Sequence, residues 1–423
     1  MGFFEQWSIY GRGFSLAQAD REGQIADLTD LDYAFGGVLP VQGAGSTPSA
    51  GNPVTCQSVD SWADWETPYV ADVDGANPVA ASGLAGNFQQ LAELKAKYPK
   101  LRVIMSLGGY GGSRFFSDAA ATPASRKAFV ASCIDLFIKG NLPGLAPGSA
   151  SGIFDGFDLD WEYPGNDNGA PGNHYSAADR ANLPLLAAEF RRQLDALRHG
   201  HYRLTAELGV GLQNAKDLDI PALAASFDDL VLMDYDFQGP WNPQGPTNFE
   251  SNLLTSPFAP NTSTEPRISV ESSVRYFEQH GAPAGKLVIG IPYYGHGWTG
   301  VQPGPDYGLY QPATGPAPSP DLTEAGTVLP GLDGAAPSGT TSYYELAGQP
   351  GYQRHTDPFS GASWLYNPAT TTFWSMQSPQ QVYTKGIYIN LRGLAGASVW
   401  ALSDDSGNQL TSALTRGLHP LGR

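Results

Sequence analysis

The stretch that decides the fold reads Phe154-Asp155-Gly156-Phe157-Asp158-Leu159-Asp160-Trp161-Glu162-Tyr163-Pro164. Acids alternate with apolar residues along it, and this alternation predicts a strand rather than a helix. Because strand side chains alternate between two faces, Asp158, Asp160 and Glu162 share one face and step towards the strand's carboxyl end. Asp155 has the opposite parity and would need a bulge at Gly156 to join them.

Outward from this stretch, short apolar runs that predict strands alternate with amphipathic patterns that predict helices, as βα units around a parallel sheet do. Eight such runs begin near Gly2, Asp30, Arg102, Phe154, Arg203, Leu230, Leu287 and Gly396. The clearest helical patterns cover residues 176–197 and a segment beginning near Ser269. Eight strands are the number that a TIM (β/α)8 barrel needs, so we predict this α/β fold, although doubly wound open sheets share the alternation.

The alternation is interrupted between about residues 299 and 371, where Pro and Gly are frequent. Within this segment, strand-like runs occur at residues 342–346, 362–366 and 371–374. We therefore predict a small α+β insertion domain of residues 299–371 after the seventh barrel strand. The barrel itself would comprise residues 1–298 and 372–423.

Composition narrows the classes of partner. A net charge of −17 disfavours nucleic acid, whose phosphates would be repelled, and leaves a neutral polymer unopposed. Apolar runs are too short to cross a bilayer, so no membrane partner is expected. Two cysteines, Cys56 and Cys133, are too few to indicate a redox compartment, and we favour unpaired thiols.

The shared face of the three acids would point into the barrel, with Glu162 at the catalytic mouth. Stacked carboxylates repel one another, so at least one keeps its proton, and a protonated Glu162 suits general acid catalysis. The alternatives are a solvated run of charge or a metal site. A solvated run would not alternate with apolar side chains, and a metal site would need more carboxylates or His from other strand ends. We therefore expect no metal.

Here the sequence resembles glycoside hydrolase family 18, the chitinases, whose signature D-G-x-D-x-D-x-E it matches at all four acids. Three further family motifs occur in the family's order, and together the motifs extend along nearly the whole chain. One precedes the signature, Met105-Ser106-Leu107-Gly108-Gly109, and two come after it, Met233-Asp234-Tyr235-Asp236 and Ala397-Ser398-Val399-Trp400. The predicted insertion also falls where the family's insertion domain does. The resemblance implies a TIM-barrel enzyme that hydrolyses β-1,4-linked N-acetylglucosamine polymers with retention, binds chitin and chitooligosaccharides, and needs no cofactor.

The resemblance implies a role for each acid. Glu162 protonates the leaving oxygen, and the substrate's own 2-acetamido group attacks the anomeric carbon, since family 18 is an exception to the two-carboxylate scheme of retaining glycosidases. Asp160 holds the acetamide N–H and stabilises the oxazolinium cation, and Asp158 shares a proton with Asp160. Tyr235 donates its hydroxyl to the acetamide oxygen, and Asp236 sits beside Glu162.

The resemblance also implies substrate-binding and supporting residues. Trp400 would lie beneath the distorted sugar, with Tyr110 and Trp241 on the leaving-group side and Trp7 on the other side. The substrate-binding set is completed by Met233, Tyr294 and Phe35, and the supporting set is Asp155, Ser106 and His296. For each aromatic residue taken alone, ordinary packing explains its presence equally well.

Two departures from the family pattern bear on the acids. Phe3 stands where many relatives have a tyrosine whose hydroxyl supports Asp158. His296 stands where relatives often have arginine, which replaces a permanent cation with a titratable one.

Two other functions were weighed: an endo-β-N-acetylglucosaminidase acting on N-glycans, and a catalytically weak chitin-binding lectin. Met233 and Tyr235 with the insertion argue against the first, and Glu162 argues against the second. We expect a monomer. Met1 leads directly into a strand pattern without a visible signal peptide. This leaves a cytoplasmic protein or a numbering that starts at a trimmed mature domain, and we favour a secreted protein.

Overall fold

The computed structural model describes residues 1–68, 73, 79–197, 200–260, 267–319 and 339–422. The part of the predicted insertion at residues 320–338 lies outside the described residues. The strands are β1 (Gly2–Glu5), β2 (Asp30–Pro40), β3 (Val54–Ser58), β4 (Arg102–Gly108), β5 (Gly156–Asp160), β6 (Arg203–Gly209), β7 (Asp229–Met233), β8 (Leu287–Pro292), β9 (Tyr294–Thr299), β10 (Gly315–Pro316), β11 (Thr340–Ser342), β12 (Gln353–Thr356), β13 (Ser363–Asn367), β14 (Thr372–Met376) and β15 (Gly396–Trp400).

The α-helices are α1 (Leu16–Arg21), α2 (Gly86–Lys97), α3 (Phe116–Ala120), α4 (Pro123–Cys133), α5 (Asp179–Asp195), α6 (Leu212–Ala215), α7 (Ile220–Ser226), α8 (Val270–Gln279), α9 (Tyr343–Ala347), α10 (Pro379–Arg392) and α11 (Gln409–Leu418). The main sheet has the strand order β1-β15-β8-β7-β6-β5-β4-β2-β3, and β1 also pairs with β2. Leaving out the antiparallel β3, this is the closed eight-strand order of a TIM barrel, which confirms the predicted fold.

The chain divides into two compact units, and each is described separately. Unit one comprises Met1–Gly209 and Gln213–Val231. In it β1 is parallel to β2, β2 to β4, β4 to β5 and β5 to β6, and β3 is antiparallel to β2. Its helices bury apolar stripes, as in α5, where Leu183, Leu186, Phe190 and Leu194 are buried at the three- and four-residue spacing that predicted the helix.

Cys56 and Cys133 form a disulfide with their Cα atoms 4.8 Å apart and a sequence separation of 77, so the expectation of unpaired thiols is wrong. The strand β3, which the sequence did not predict, brings Cys56 to the end of α4. There the Cys56 amide donates a hydrogen bond to Ser132 Oγ at 2.9 Å. This local strand, and not the number of cysteines, decides the pairing.

Unit two comprises Val210–Leu212 and the described residues of Leu232–Val328 and Asp333–Arg423. It contains the parallel pair β8 and β15 and a second sheet of six antiparallel strands, β9 to β14. The second sheet packs on a core of large apolar side chains that includes Trp298, Tyr366 and Phe373. In α8, a capping box formed by Ser269 and Ser272 marks the first turn where the sequence placed the helix start.

The strand-like runs at residues 362–366 and 371–374 correspond to β13 and β14. The run at 342–346 was wrongly predicted as a strand, since α9 begins at Tyr343 and its Tyr343 and Leu346 are buried at helical spacing. The insertion boundaries at residues 299 and 371 stay a prediction. No helix among the described residues is long and apolar enough to span a bilayer.

Candidate active site

Asp158, Asp160 and Glu162, here called the acid row, follow β5 towards its carboxyl end. The exposed fraction rises along the row, from 0% at Asp158 to 4% at Asp160 and 8% at Glu162. The strand ends at Asp160, and Glu162 lies two residues beyond it. Glu162 is therefore the acid of the row nearest to solvent, at the end of the strand where TIM barrels place their chemistry.

Asp158 is held by hydroxyl groups from both neighbouring strands. It is in register with Ser106 on β4 and Thr205 on β6, so all three side chains share one face. Ser106 Oγ donates to Asp158 Oδ2 at 2.8 Å, and Thr205 Oγ1 donates to Asp158 Oδ1 at 2.8 Å. Burial raises the pKa of Asp158 to about 6, even though both donors act to lower it.

Asp160 has no such pair of donors. Its Oδ1 is buried without a hydrogen-bond partner among the described residues. Burial, followed by the charges of Glu162 and Asp158, raises the pKa of Asp160 well above its ordinary value. A carboxyl group in this position holds a proton near neutral pH unless a donor or a cation is supplied.

The backbone of Glu162 is anchored on both sides. Its amide donates to Ser113 Oγ at 2.9 Å, and Ser113 Oγ in turn donates to the Asp160 carbonyl at 3.0 Å. The Glu162 carbonyl accepts from Asn173 Nδ2 at 2.9 Å. These contacts fix the chain at the point where it leaves β5, so the main chain presents the Glu162 side chain from a defined position.

Two further acids lie on the same face and were missed by the sequence analysis. Asp32 on β2 and Glu207 on β6 are buried, and both carboxyl oxygens of each lack a hydrogen-bond partner among the described residues. Burial and the neighbouring acids raise both pKa values well above the ordinary range. The signal was present, since each acid interrupts an apolar strand run as Asp158 does. The acid row, Asp32 and Glu207 together are called the acid cluster.

Asp155 does not belong to this cluster. It precedes β5 and pairs with Lys95 of α2, with Nζ 2.6 Å from Oδ1 and 2.7 Å from Oδ2, and it accepts from the Val103 amide. No bulge at Gly156 turns it inwards, so Asp155 keeps its opposite parity and does not join the acid cluster, and its supporting role stays a prediction. Although the cluster has five acids, no three His, Cys, Asp or Glu side chains in the described part of the chain are placed to hold a metal ion.

Of the predicted substrate-binding aromatics of unit one, Trp7 follows β1, Phe35 lies midway along β2 and Tyr110 follows β4. Trp7 and Phe35 contact each other with ring centroids 6.0 Å apart. Tyr110 is 55% exposed, directly after the Gly108-Gly109 pair. Gly109 has φ +78, and a Cβ there would lie 2.6 Å from the Phe35 ring, so this glycine lets the loop pass close to the aromatic ring.

In unit two, Asp236, Tyr294 and His296 form a hydrogen-bonded set, here called the Asp236 group. Asp236 has φ +56, just after β7, and its Oδ1 accepts from the Tyr294 hydroxyl at 2.6 Å and lies 2.7 Å from His296 Nε2. The Asp236 side chain is half exposed; its partial burial acts to raise its pKa, but the hydrogen bonds from His296 and Tyr294 and the charge of His296 lower it overall. Asp236 is therefore an ionised carboxylate.

The other predicted site residues of unit two either contact the Asp236 group or are the last residues of barrel strands. The Trp241 ring, 59% exposed, meets His296 edge-on with centroids 5.1 Å apart. The Tyr235 ring contacts that of Tyr294 at 6.2 Å. Met233 and Trp400 are the last residues of β7 and β15.

A buried group of polar and titratable side chains beside β7 was not foreseen. Lys385 Nζ of α10 donates to Ser251 Oγ at 2.7 Å, and Ser273 Oγ donates to Asp234 Oδ1. Burial lowers the pKa of Lys385 to about 7, although the nearby acids Asp234 and Glu250 oppose this. Lys385 lies in α10. In an amphipathic helix a charged residue is expected to be exposed, so the sequence did not indicate its burial.

Comparison with known proteins agrees with this geometry. Residues 1–405 match the profile of "Glycosyl hydrolases family 18". The chain is 31% identical to chitinase A1 of Niallia circulans over 99% of its own length and 58% of that protein. It is likewise 31% identical to chitinase C of Streptomyces lividans over 96% of its own length and 57% of that protein. It thus spans somewhat over half the length of these relatives.

Among solved structures, the catalytic domain of the psychrophilic chitinase B from Arthrobacter TAD20 superposes with a TM-score of 0.86 at 34% identity, covering 100% of this chain and 96% of that one. Chitinase ChiA74 from Bacillus thuringiensis superposes with a TM-score of 0.79 at 27% identity, covering 99% of this chain and 69% of that one. On its sequence, its strand order and these matches, the chain belongs to glycosyl hydrolase family 18.

Proposed function

We propose that this chain is a chitinase, which hydrolyses the β-1,4 bonds of N-acetylglucosamine polymers with retention through substrate-assisted catalysis. The observation that supports this most directly is the acid row: three buried acids on one strand face, ending in Glu162 near solvent, in a chain of family 18. Chitin and chitooligosaccharides are the proposed ligands.

Glu162 is the proposed general acid. A glycosidic oxygen leaves readily only when it is protonated as the bond breaks, and a positioned carboxylic acid supplies that proton. The anchored backbone of Glu162 sets the position of the acid. After the first step, the same carboxylate would accept a proton from the attacking water.

Asp160 is the proposed partner of the substrate acetamide. An ionised Asp160 would accept the acetamide N–H and stabilise the positive charge of the oxazolinium ion, so the acetamide oxygen can serve as the nucleophile. For this Asp160 must lose its proton, and Asp158, with a pKa of about 6 and two hydroxyl donors, is suited to share it.

The residues of unit two keep the roles that family membership suggests. Tyr235 would donate its hydroxyl to the acetamide oxygen, and Asp236 would supply a negative charge that the Asp236 group keeps ionised. Trp400 and Trp241 would offer apolar ring faces to pyranose rings, a common mode of sugar binding. Trp7, Phe35 and Tyr110 would serve the same purpose in unit one, with Met233 and Tyr294 lining the site.

The Cys56–Cys133 disulfide supports a secreted protein, because disulfides persist in oxidising compartments. We propose secretion and a monomeric state, to be tested by fractionation of the producing cells and by sedimentation of the purified protein.

The deciding experiment is a product analysis on chitohexaose, monitored by NMR within the first turnovers. We expect short chitooligosaccharides released as the β-anomer, and no cleavage of cellohexaose, which lacks the acetamide. Release of the α-anomer, or cellohexaose cleavage at a similar rate, would contradict substrate assistance. Binding without cleavage would indicate the lectin alternative, and cleavage of an N-glycan alone would indicate the endo-β-N-acetylglucosaminidase.

A further inference from the structure

The proposed mechanism gives no role to two carboxyl groups of the acid cluster, Asp32 and Glu207, and of these Glu207 is the one in register with Asp160. Glu207 is only 3% exposed on β6, and both of its carboxyl oxygens lack a hydrogen-bond partner among the described residues. No Lys, Arg or His of the described residues forms an ion pair with it. A buried polar group without a partner is costly, so its presence calls for an explanation.

The strand register shows which group Glu207 accompanies. Asp160 on β5 is in register with Glu207 on β6, just as Asp158 is in register with Thr205. Thr205 donates to Asp158 at 2.8 Å. Adjacent strands lie about 4.8 Å apart, so ordinary side-chain rotations can bring the two neighbouring carboxyls together. Asp160 Oδ1 is itself without a partner among the described residues.

We propose that Glu207 is a positioning residue for Asp160: as a neutral carboxylic acid it donates a hydrogen bond to the ionised Asp160 carboxylate and holds it for the substrate acetamide. This inference rests on the proposed function, which gives Asp160 its contact with the substrate. Glu207 would thus do for Asp160 what Thr205 does for Asp158.

The charges around Glu207 support a neutral state. The groups that face it are Asp158, Asp160, Asp32 and Glu162, all acids, and burial together with these charges raises its pKa well above the ordinary range. A neutral Glu207 has one O–H to donate, and the adjacent Asp160 gains most from it. Hydrogen bonds to ionised groups are also stronger than those between neutral groups.

The test compares Glu207→Gln with Glu207→Met in the full chain. Gln is neutral and keeps a donor at nearly the same place, whereas Met has a similar length and no donor. We measure kcat, KM and their pH profiles on chitohexaose, with thermal unfolding alongside. Glu207→Gln should keep kcat within about threefold, and Glu207→Met should lower it roughly 10-fold or more with little change in KM.

The pH profile separates positioning from packing. Without the donor the pKa of Asp160 rises further, so the acidic limb of kcat in Glu207→Met should move to higher pH by about one unit, while Glu207→Gln stays near the wild type. Glu207→Met should unfold at the same or a higher temperature, because an apolar side chain replaces an unpaired buried acid. If Glu207→Met does not fold, Glu207→Ala replaces it in the same comparison.

Two results would overturn the inference. Wild-type kcat and acidic limb in Glu207→Met would mean that Glu207 only fills space. A loss in Glu207→Gln as large as that in Glu207→Met would mean that a neutral donor is not what Asp160 needs. Glu162→Gln is measured in the same series, because turnover in that variant would refute the proposed function independently of Glu207.

Discussion

Asp160 in unit one and Asp236 in unit two are assigned to the same reaction, yet their surroundings shift their pKa values in opposite directions. Asp160 lies among acids, and burial with the charges of Glu162 and Asp158 raises its pKa. Asp236 is half exposed and lies between a tyrosine hydroxyl and a histidine; its partial burial acts to raise its pKa, but these two partners lower it overall. The acid cluster keeps carboxyl groups protonated, whereas the Asp236 group keeps a carboxylate ionised.

This difference follows from what each strand end offers. The strand faces around Asp160 supply hydroxyls and further acids, so the acid cluster reduces its repulsion by keeping protons. Next to Asp236, β9 places Tyr294 and His296 on one face, two residues apart. A reaction that moves protons within one group of acids and needs a fixed negative charge at another position uses both kinds of environment.

The largest expected effect comes from removing the proton that the acid cluster delivers. Glu162→Gln should lower kcat by about 10²–10⁴-fold, the usual contribution of general acid catalysis, while chitohexaose binding changes little. Steady-state rates and calorimetric titration with the oligosaccharide measure the two effects. The control is Glu189→Gln in α5, whose carboxylate pairs with Arg192 and is not part of the acid cluster; this variant should keep the wild-type rate and binding. A Glu162→Gln variant with a tenth of the wild-type rate would remove the acid row from the mechanism.

The second prediction weakens the other region. His296→Gln removes the charge beside Asp236, so the pKa of Asp236 should rise and kcat/KM should fall by roughly 10-fold at acidic pH, with a smaller loss at higher pH. His296→Arg should recover most of the rate, because it restores a cation. The pH profile of kcat/KM is the measurement.

His355→Gln is the matched control for this variant, since His355 lies in the same unit and stacks on Tyr307 and Trp364, away from Asp236. If His296→Gln and His355→Gln have the same pH profile, the charge of His296 does not support Asp236.

The two regions also differ in how far the sequence could predict them. The acid row was predictable, because alternation along one strand fixes which side chains share a face without knowledge of any other strand. Asp32 and Glu207 could have been found by the same parity rule, but each is a single acid in its own strand. The approach of Asp32 to Asp158 and of Glu207 to Asp160 depends on strand register, which one strand's sequence does not contain.

The same reasoning explains the remaining differences. The parity of Asp155 indicated that it faces away from the acid row, but the sequence did not identify its partner, Lys95, which lies about 60 residues earlier in the chain. The disulfide depended on β3, a short strand whose alternation is weak. The burial of Lys385 could not be predicted for a related reason, since the nearby acids Asp234 and Glu250 come from other parts of unit two. Local periodicity predicted elements and faces, and tertiary pairing decided the partners.

The third prediction changes the pKa of Asp158 without removing an acid from the cluster. Ser106→Ala deletes one of two donors to Asp158, so the pKa of Asp158 should rise above its value of about 6 and the acidic limb of kcat should move up by roughly one pH unit or less. Ser117→Ala is the control, since its hydroxyl donates at 2.9 Å to Asp179, outside the acid cluster. An acidic limb that moves equally in both variants would contradict the assignment.

The same variant has a defined effect on stability. The pKa of Asp158 is raised in the folded protein, so the protonated carboxyl stabilises the folded state. This contribution to the free energy of unfolding is fully present below the usual aspartate pKa of 3.8 and is lost as the pH rises through about 6. Ser106→Ala should enlarge that loss. Urea unfolding at pH 4 and pH 7 should therefore show a larger destabilisation at pH 7, and an equal effect at both would indicate a packing defect.

The smallest expected effect is a gain of one donor at the acid cluster. Phe3 on β1 is in register with Asp32 on β2, so its side chain shares the face of the acids. Phe3→Tyr would place a hydroxyl on that face and favour the ionised form of the nearest acid, which lowers its pKa. The acidic limb of kcat should move to lower pH by a few tenths of a unit, with little change in the basic limb.

Phe4→Tyr is the control for this variant, because Phe4 has the opposite parity and packs against Phe14 and Tyr33, with ring centroids 6.4 and 6.2 Å away. Its hydroxyl would enter an apolar layer, so Phe4→Tyr should lower the unfolding temperature and leave the pH profile of kcat unchanged. A shifted acidic limb in Phe4→Tyr, or none in a well-folded Phe3→Tyr, would contradict the register that places Phe3 beside the acid cluster. It would also mean that the pKa values of the acid cluster depend on the stability of unit one and not on hydrogen-bond donors on the face that the acids share. The difference between the acid cluster and the Asp236 group would then be smaller.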